Sequence, residues 1–278
     1  MLRGPTQSGL FAVLSFQSCD RQFGLMSFQP ALLRFDSIDS TNLEAMRQAR
    51  NGAPEGLCIV AREQTAGRGR LDRKWHSPRD SGLYFSLVLR PRFEICAWPL
   101  ITLTAALATV DALMSECGMK ADIKWPNDIC FNERKLCGIL AETVETGDGP
   151  AAILGVGINL SPMGLGEFAS RATSIQAVIA RKPDGERIML ALLENLSGRY
   201  LLLDTQAGRE HLIREWCANS SYAFDREVRV STANDTFTGV TRGLDSDGAL
   251  RVETSDGKVT AVRAGEVTAV RPAANDMD

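Results

Sequence analysis

Between Gln64 and Trp75 the chain reads QTAGRGRLDRKW, setting Arg68, Arg70, Arg73 and Lys74 on a backbone punctuated by Gly67 and Gly69. Glycine lets the main chain reach positive φ and come close to a ligand. Guanidinium groups offer paired, directed donors to a phosphate or carboxylate. Such a loop can wrap an anion, although a run of charge also suits a solvated surface loop. Two common nucleotide motifs do not fit. The lysine-serine ending of a P-loop is missing, and two glycines are too few and too closely spaced for a dinucleotide fingerprint. Further polar side chains gather in DSTN at 39–42, KWPND at 124–128, RKLCGIL at 134–140 and GVGINL at 155–160. Taken alone, DSTN is what a helix N-terminus asks for, and Lys135 reads as a solvated hairpin lysine after FNER.

Other chemistries lack their residues. The seven cysteines, at 19, 58, 96, 117, 130, 137 and 217, are odd in number and scattered, with no CxxC pair and no histidines at zinc-finger spacing. They read as reduced and cytosolic, and those in apolar context as buried packing. Only His76 and His211 could serve a Ser-His-Asp or multi-histidine metal site, so both chemistries are set aside and no protein-ligated metal is expected. A net charge of -3 removes the basic field of a dedicated nucleic-acid binder. No apolar run is expected to reach the roughly 18 residues that cross a bilayer, and residues 1–30 lack a signal-peptide cleavage pattern.

These residues need a scaffold. With 278 residues, 44% of them apolar, the chain can bury a large core. ALLRFDSIDSTNLEAMRQAR reads as a strand feeding a helix, GLCIVAREQ and GLYFSLVLRP as strands that hold the arginine loop, and residues 98–117 as a buried helix stopped by Gly118. DIKWPND, KLCGILAETV and AAILGVGINL read as a strand meander, and 186–218 as a return to helix. Short strands with turns near Asn234, Asp247 and Asp256 predict a small barrel-like module at the C-terminal end. The expected organisation is a disordered extension over 1–30, with Met26 as a second candidate start, a catalytic domain over 31–220, a β domain over 221–272 and a tail at 273–278.

DSTN, QTAGRGR with RKW, KWPND and RKLCGIL, in that order and joined by GVGINL, together resemble biotin-protein ligases, specifically in combination and over residues 34 to about 272. The resemblance implies an α+β fold: a class II aminoacyl-tRNA synthetase-like mixed sheet with helices, plus a C-terminal SH3-like β-barrel. It implies two steps, in which biotin and MgATP form biotinyl-5′-adenylate and a carrier lysine then attacks the activated carbonyl. Ser40, Thr41, Asn42 and Gln64 match the biotin grip, and Arg68, Gly69 and Arg70 the adenylate-enclosing loop. Lys135 matches the family's active-site lysine, catalytic with Arg68 and Arg70. Trp75, Asn127, Asp128 and Asn159 match nucleotide-side positions, while Trp125 could instead be a core tryptophan. Where the family loop often has glycine this chain has Asp72, tolerable even at positive φ. The implied partner is the biotin carboxyl carrier protein of acetyl-CoA carboxylase or a related carboxylase, in the cytoplasm, with neither membrane nor nucleic acid, since no helix-turn-helix segment precedes the first strand. Ligases of this fold can form a homodimer through a sheet edge. A lipoate-protein ligase and a non-catalytic biotin-binding sensor are the rival readings.

Overall fold

Residues rich in Val, Ile and aromatics suit the pleated surface of a sheet, and eight such segments associate. They are β1 (Leu10–Phe11), β2 (Ala31–Phe35), β3 (Leu57–Ala61), β4 (Gly82–Leu89), β5 (Asp122–Lys124), β6 (Asp128–Phe131), β7 (Arg134–Thr146) and β8 (Gly149–Asn159). The structure, a computed structural model, describes residues 10–11, 28–162 and 170–270. The sheet has the order β1-β2-β3-β4-β8-β7-β6-β5, with β2 and β3 parallel and the other neighbours antiparallel. Most of the extension expected over 1–30, and the tail at 273–278, lie outside the described residues. Within the extension, Leu10 and Phe11 pair with Arg34 and Leu33, and Phe28 is buried.

Alternation along the central strands divides the apolar side chains between two faces. On one face, Leu33, Ile59, Val88 and Ile153 meet Ala45 and Ala49 of α1 (Thr41–Arg50). On the other, Phe85, Leu87, Leu154 and Val156 meet α2 (Pro99–Cys117), which starts on a proline and stops at Gly118 with φ of 65°. The stretch Ile95–Cys117 is long and apolar enough to cross a bilayer, which corrects the expectation that no segment is. It is nevertheless mostly buried, as the central helix of the core.

DIKWPND is broken into β5 and β6 rather than being one strand, because Pro126 brings no N–H to the ladder. Asn127 takes over there: its Nδ2 donates to Ile139 O at 2.8 Å, and its own carbonyl accepts from Ile139 N at 2.9 Å. After α3 (Ile175–Ile179), the helical stretch 186–218 is two helices, α4 (Gly185–Tyr200) and α5 (Gln206–Ala218), joined by a 3-10 turn over Leu201–Asp204. Thr205 forces the break by capping α5, its hydroxyl accepting from Gly208 N.

The C-terminal module comprises β9 (Phe224–Ser231), β10 (Thr236–Leu244), β11 (Leu250–Glu253), β12 (Val259–Val262) and β13 (Glu266–Ala269). They form an antiparallel sheet in the order β12-β11-β10-β9-β13. Val228, Val230, Leu250, Val252, Val262 and Val267 fill its core. One of its turns is fastened to the larger domain: Trp125 Nε1 donates to Gly248 O at 3.1 Å, and a Cβ on Gly248 would lie 2.9 Å from Leu103 Cδ1. Trp125 is therefore a core tryptophan with one indole partner.

Candidate active site

The arginine segment folds back on itself as a short hairpin. Isolated bridges join Gln64 to Ser77 and Arg68 to Lys74, and Trp75 N donates to Gly67 O at 2.9 Å. At its tip Arg73 N donates to Arg70 O at 3.2 Å, while Leu71 and Asp72 have φ of 54° and 56°. That is the pattern of a type I′ turn, which matches strand twist but demands positive φ at both central residues. Position 72 thus does require the left-handed region, and Asp tolerates it; a leucine beside it is the rarer choice. Gly67 is needed for a different reason, because a Cβ there would sit 2.4 Å from Trp75 O.

Strand glycines make the floor. Gly138 on β7 pairs directly with Gly157 on β8, and both lie under Trp75. A Cβ on Gly157 would fall 2.5 Å from Trp75 Nε1, and one on Gly138 would fall 2.9 Å from Trp75 Cζ3. One row along, a Cβ on Gly155 would fall 2.0 Å from Asn42 Oδ1. The glycines of RKLCGIL and GVGINL thereby let an indole and an amide lie flat on a sheet, which any larger residue would prevent.

Above this floor is a cavity of about 850 Å³. It is lined by Ser40, Thr41, Asn42 and Gln64, by Arg68, Gly69 and Arg70 of the hairpin, and by Trp75, Asn127, Asp128, Lys135 and Asn159. All twelve positions singled out in the sequence converge on this one space.

The α1 end is not capped as DSTN suggested. Ser40 occupies the N-cap position without a side-chain cap bond. Instead Gln64 reaches across, its Oε1 accepting from Thr41 N at 2.8 Å and from Thr41 Oγ1 at 3.1 Å, while its Nε2 donates to Ser77 Oγ at 2.8 Å. Ser86 Oγ donates to Asn42 Oδ1 at 2.6 Å. Gln64 thus fills the acceptor role at the helix terminus.

The cations are held by partners. Lys135 Nζ lies 2.7 Å from Asp128 Oδ1 and 5.2 Å from the centre of the Trp75 ring, which excludes a freely solvated hairpin lysine. Arg68 Nη2 is 3.1 Å from Glu142 Oε1. Arg70 Nη1 donates to Asn127 Oδ1 at 3.3 Å and to Gly265 O at 3.4 Å. Burial lowers the Arg70 pKa, yet a guanidinium stays protonated in proteins, so a desolvated cation faces the cavity. Asn159 Nδ2 donates to Thr173 O at 2.9 Å and Lys135 O at 3.4 Å, leaving its buried Oδ1 without a partner, as is Trp75 Nε1. Unpaired groups of this kind are rare and mark where a ligand could complete the bonding.

Several participants escaped the sequence reading. Ser86, Ser77 and Glu142 carry no motif, being isolated polar residues in or beside strands. Gly265 and Glu266 belong to the C-terminal module, yet line the cavity, and Glu266 forms an ion pair with Arg73. That guanidinium holds the Glu266 carboxyl below its usual range.

Comparison with known proteins identifies the family. Residues 34–159 match the Biotin/lipoate A/B protein ligase family, and residues 223–268 match the Biotin protein ligase C terminal domain. The chain is 37% identical over 232 residues to the bifunctional ligase/repressor BirA of Bacillus subtilis, spanning 81% of this chain and 70% of that one. It is 32% identical over 238 residues to the biotin–(acetyl-CoA-carboxylase) ligase of Mycobacterium tuberculosis, spanning 84% of this chain and 86% of the other. The biotin protein ligase of Aquifex aeolicus, solved in complex with biotin and ATP, superposes with a TM-score of 0.76 at 29% identity, covering 88% of this chain and 100% of that one. By its two matched domains, its relatives and its fold, the chain belongs to the biotin protein ligase family and is an enzyme of that ligase class.

Proposed function

We propose that the protein activates biotin with ATP as biotinyl-5′-adenylate and passes the acyl group to a lysine of the biotin carboxyl carrier protein of acetyl-CoA carboxylase or a related carboxylase. The observation that carries this reading is the single cavity in which Lys135, Arg68 and Arg70 share one space with Ser40, Thr41, Asn42 and Gln64. Biotin has a small apolar body with a ureido head and a carboxylate tail. The hydroxyls and amides around α1 offer donors and acceptors to the head, and the apolar lining of Leu140 and Val156 suits the body. The tail then points to the cations.

In the first step the carboxylate oxygen attacks the α-phosphorus of ATP and pyrophosphate leaves. Two anions must approach each other, so fixed cations that offset their charge supply most of the assistance. Lys135 is suited to contact both the carboxylate and the phosphate, with Arg68 and Arg70 on the phosphoryl oxygens. Asn159, through its unpaired Oδ1, suits a donor on the nucleotide, and Trp75 offers a ring face. In the second step the carrier's lysine amine attacks the acyl carbon and AMP leaves. No residue of this chain need form a covalent intermediate.

Magnesium fits as an ion carried by the nucleotide. Among the described residues no group of three or more His, Cys, Asp or Glu could hold a metal, whereas Asp128 and Glu266 both line the cavity. Triphosphate oxygens and water would supply most of the coordination, as this ion prefers. It would offset charge on the departing pyrophosphate.

The test is a mass measurement on a biotin carboxyl carrier domain incubated with the protein, ATP, magnesium and either biotin or lipoate. A biotinyl adduct only in the biotin arm supports the reading. An adduct only with lipoate, or none in either arm, overturns it.

A further inference from the structure

Glu142 sits two residues beyond Leu140 on β7, on the same strand face as the cavity floor, but it does not line the cavity. Its side chain is only 20% exposed. Its two oxygens are divided between the halves of the site. Oε1 is 3.1 Å from Arg68 Nη2, while Oε2 accepts from Asn42 Nδ2 at 2.9 Å. The Asn42 amide is otherwise fixed by Ser86 Oγ, which donates to its Oδ1 at 2.6 Å, and by Leu140 O, which accepts from its Nδ2 at 3.3 Å. Gly155 leaves the room for it.

By sign alone the placement is adverse. A carboxylate beside a site that must bring two anions together opposes their binding. Glu142 therefore has to return something in geometry. With one rigid group it holds both the guanidinium proposed to meet the phosphate and the amide proposed to meet biotin.

We infer that Glu142 is a positioning residue that couples the two halves of the cavity: its carboxylate fixes Arg68 and Asn42 together, so that biotin ordering Asn42 also pre-sets Arg68 for the nucleotide. This rests on the two-substrate reading above. Linkage then requires that biotin tighten ATP binding and that ATP tighten biotin binding by the same factor.

The test is adenylate formation, followed as pyrophosphate release, together with biotin titrations at zero and saturating non-hydrolysable ATP analogue. In the wild type the analogue should strengthen biotin binding by a factor of about 5 or more. Glu142→Gln keeps an acceptor for Asn42 but not the charge that pairs with Arg68. It should lose that coupling and about ten-fold in kcat/KM for ATP, while biotin affinity without nucleotide stays within about two-fold. Glu142→Ala should weaken biotin binding as well. In a cycle with Arg68→Ala, the double variant should lose little more than Arg68→Ala alone. A merely structural residue would lower the melting temperature without separating the two substrates. Additive losses in the cycle, or a Glu142→Gln variant with unchanged coupling, overturn the inference while leaving the ligase reading intact. A wild-type chain that makes no biotinyl adenylate sinks both.

Discussion

Gly155→Ala isolates the strand floor. The added Cβ would fall 2.0 Å from Asn42 Oδ1 and 2.9 Å from Asn42 Cγ, so the amide must leave its place. Leaving breaks three bonds, from Ser86 Oγ and to Glu142 and Leu140 O, in a region where Ser86 is fully buried and Asn42 only 4% exposed. Each bond contributes about 1 kcal/mol net, and stranding a buried partner costs about 1–3 kcal/mol, so a loss of roughly 2–4 kcal/mol follows. Against it stands about 0.4–1 kcal/mol from the stiffer unfolded chain, because Gly155 has no positive φ. The net loss lowers the melting temperature by about 5–10 °C in a protein of this size. Gly198→Ala is the internal control. It lies in α4 with nothing within 4 Å of its Cβ and should gain about 0.5–1 kcal/mol from helix propensity. The assay is paired thermal melts with and without biotin. The Gly155→Ala melt should fall and respond to biotin more weakly than the wild type, and the Gly198→Ala melt should rise and respond fully. Equal melts for the two variants, or wild-type biotin response in Gly155→Ala, would refute the reading of the floor.

Leu71→Asn should raise stability by about 0.5–1 kcal/mol, because asparagine tolerates the left-handed backbone that Leu71 adopts at φ 54°; a lower melting temperature contradicts the turn geometry. In a Cys19→Ser background a disulfide reagent at pH 8 should label exposed Cys96 first. Cys58 and Cys130, whose thiols burial pushes up to about 12, should stay unlabelled until the chain unfolds, and rapid labelling of either would contradict their packing. The Arg73 guanidinium depresses the Glu266 pKa, so that pair stabilises the fold above the unfolded carboxyl value near ~4.3 and the contribution is lost as pH falls through the lower folded value. Glu266→Gln should therefore flatten the acid limb of melting temperature against pH and change the stability at neutral pH by no more than ~1 kcal/mol. An unchanged acid limb would show that the pair does not form.

Legibility depended on how local the cause was. The hairpin could be read because glycine and arginine announce close approach and anion binding from their types alone, and α2 because Pro99 and Gly118 bracket an apolar run. DSTN misled for the same reason: Ser and Thr beside a helix start suggest a local cap, whereas the acceptor comes from Gln64, 23 residues away. Ser86 and Glu142 could not be read at all. Their partnership with Asn42 spans 44 and 100 residues, and only the strand register of β4, β8 and β7 brings them onto one face. The two halves of the 186–218 stretch needed the cap at Thr205 to be weighed against an unbroken apolar pattern.

The ion pairs of the site have a common logic. Arg68 faces Glu142, Lys135 faces Asp128 and Arg73 faces Glu266, so each of three cations near the cavity has a carboxylate of its own. Bare cations clustered this closely would repel one another and scatter their long side chains, at a cost in both charge and rotamer entropy. Pairing offsets that repulsion and narrows the range of their side chains. The same pairing moderates affinity for stray phosphate, because an incoming anion must share each cation with a resident carboxylate. A substrate that also satisfies the α1 amides, the apolar lining of Leu140 and Val156 and the free Oδ1 of Asn159 has enough additional contacts to compete. On the proposed reading, discrimination resides in the neutral parts of the cavity, and the cations act on whichever acid those parts have admitted.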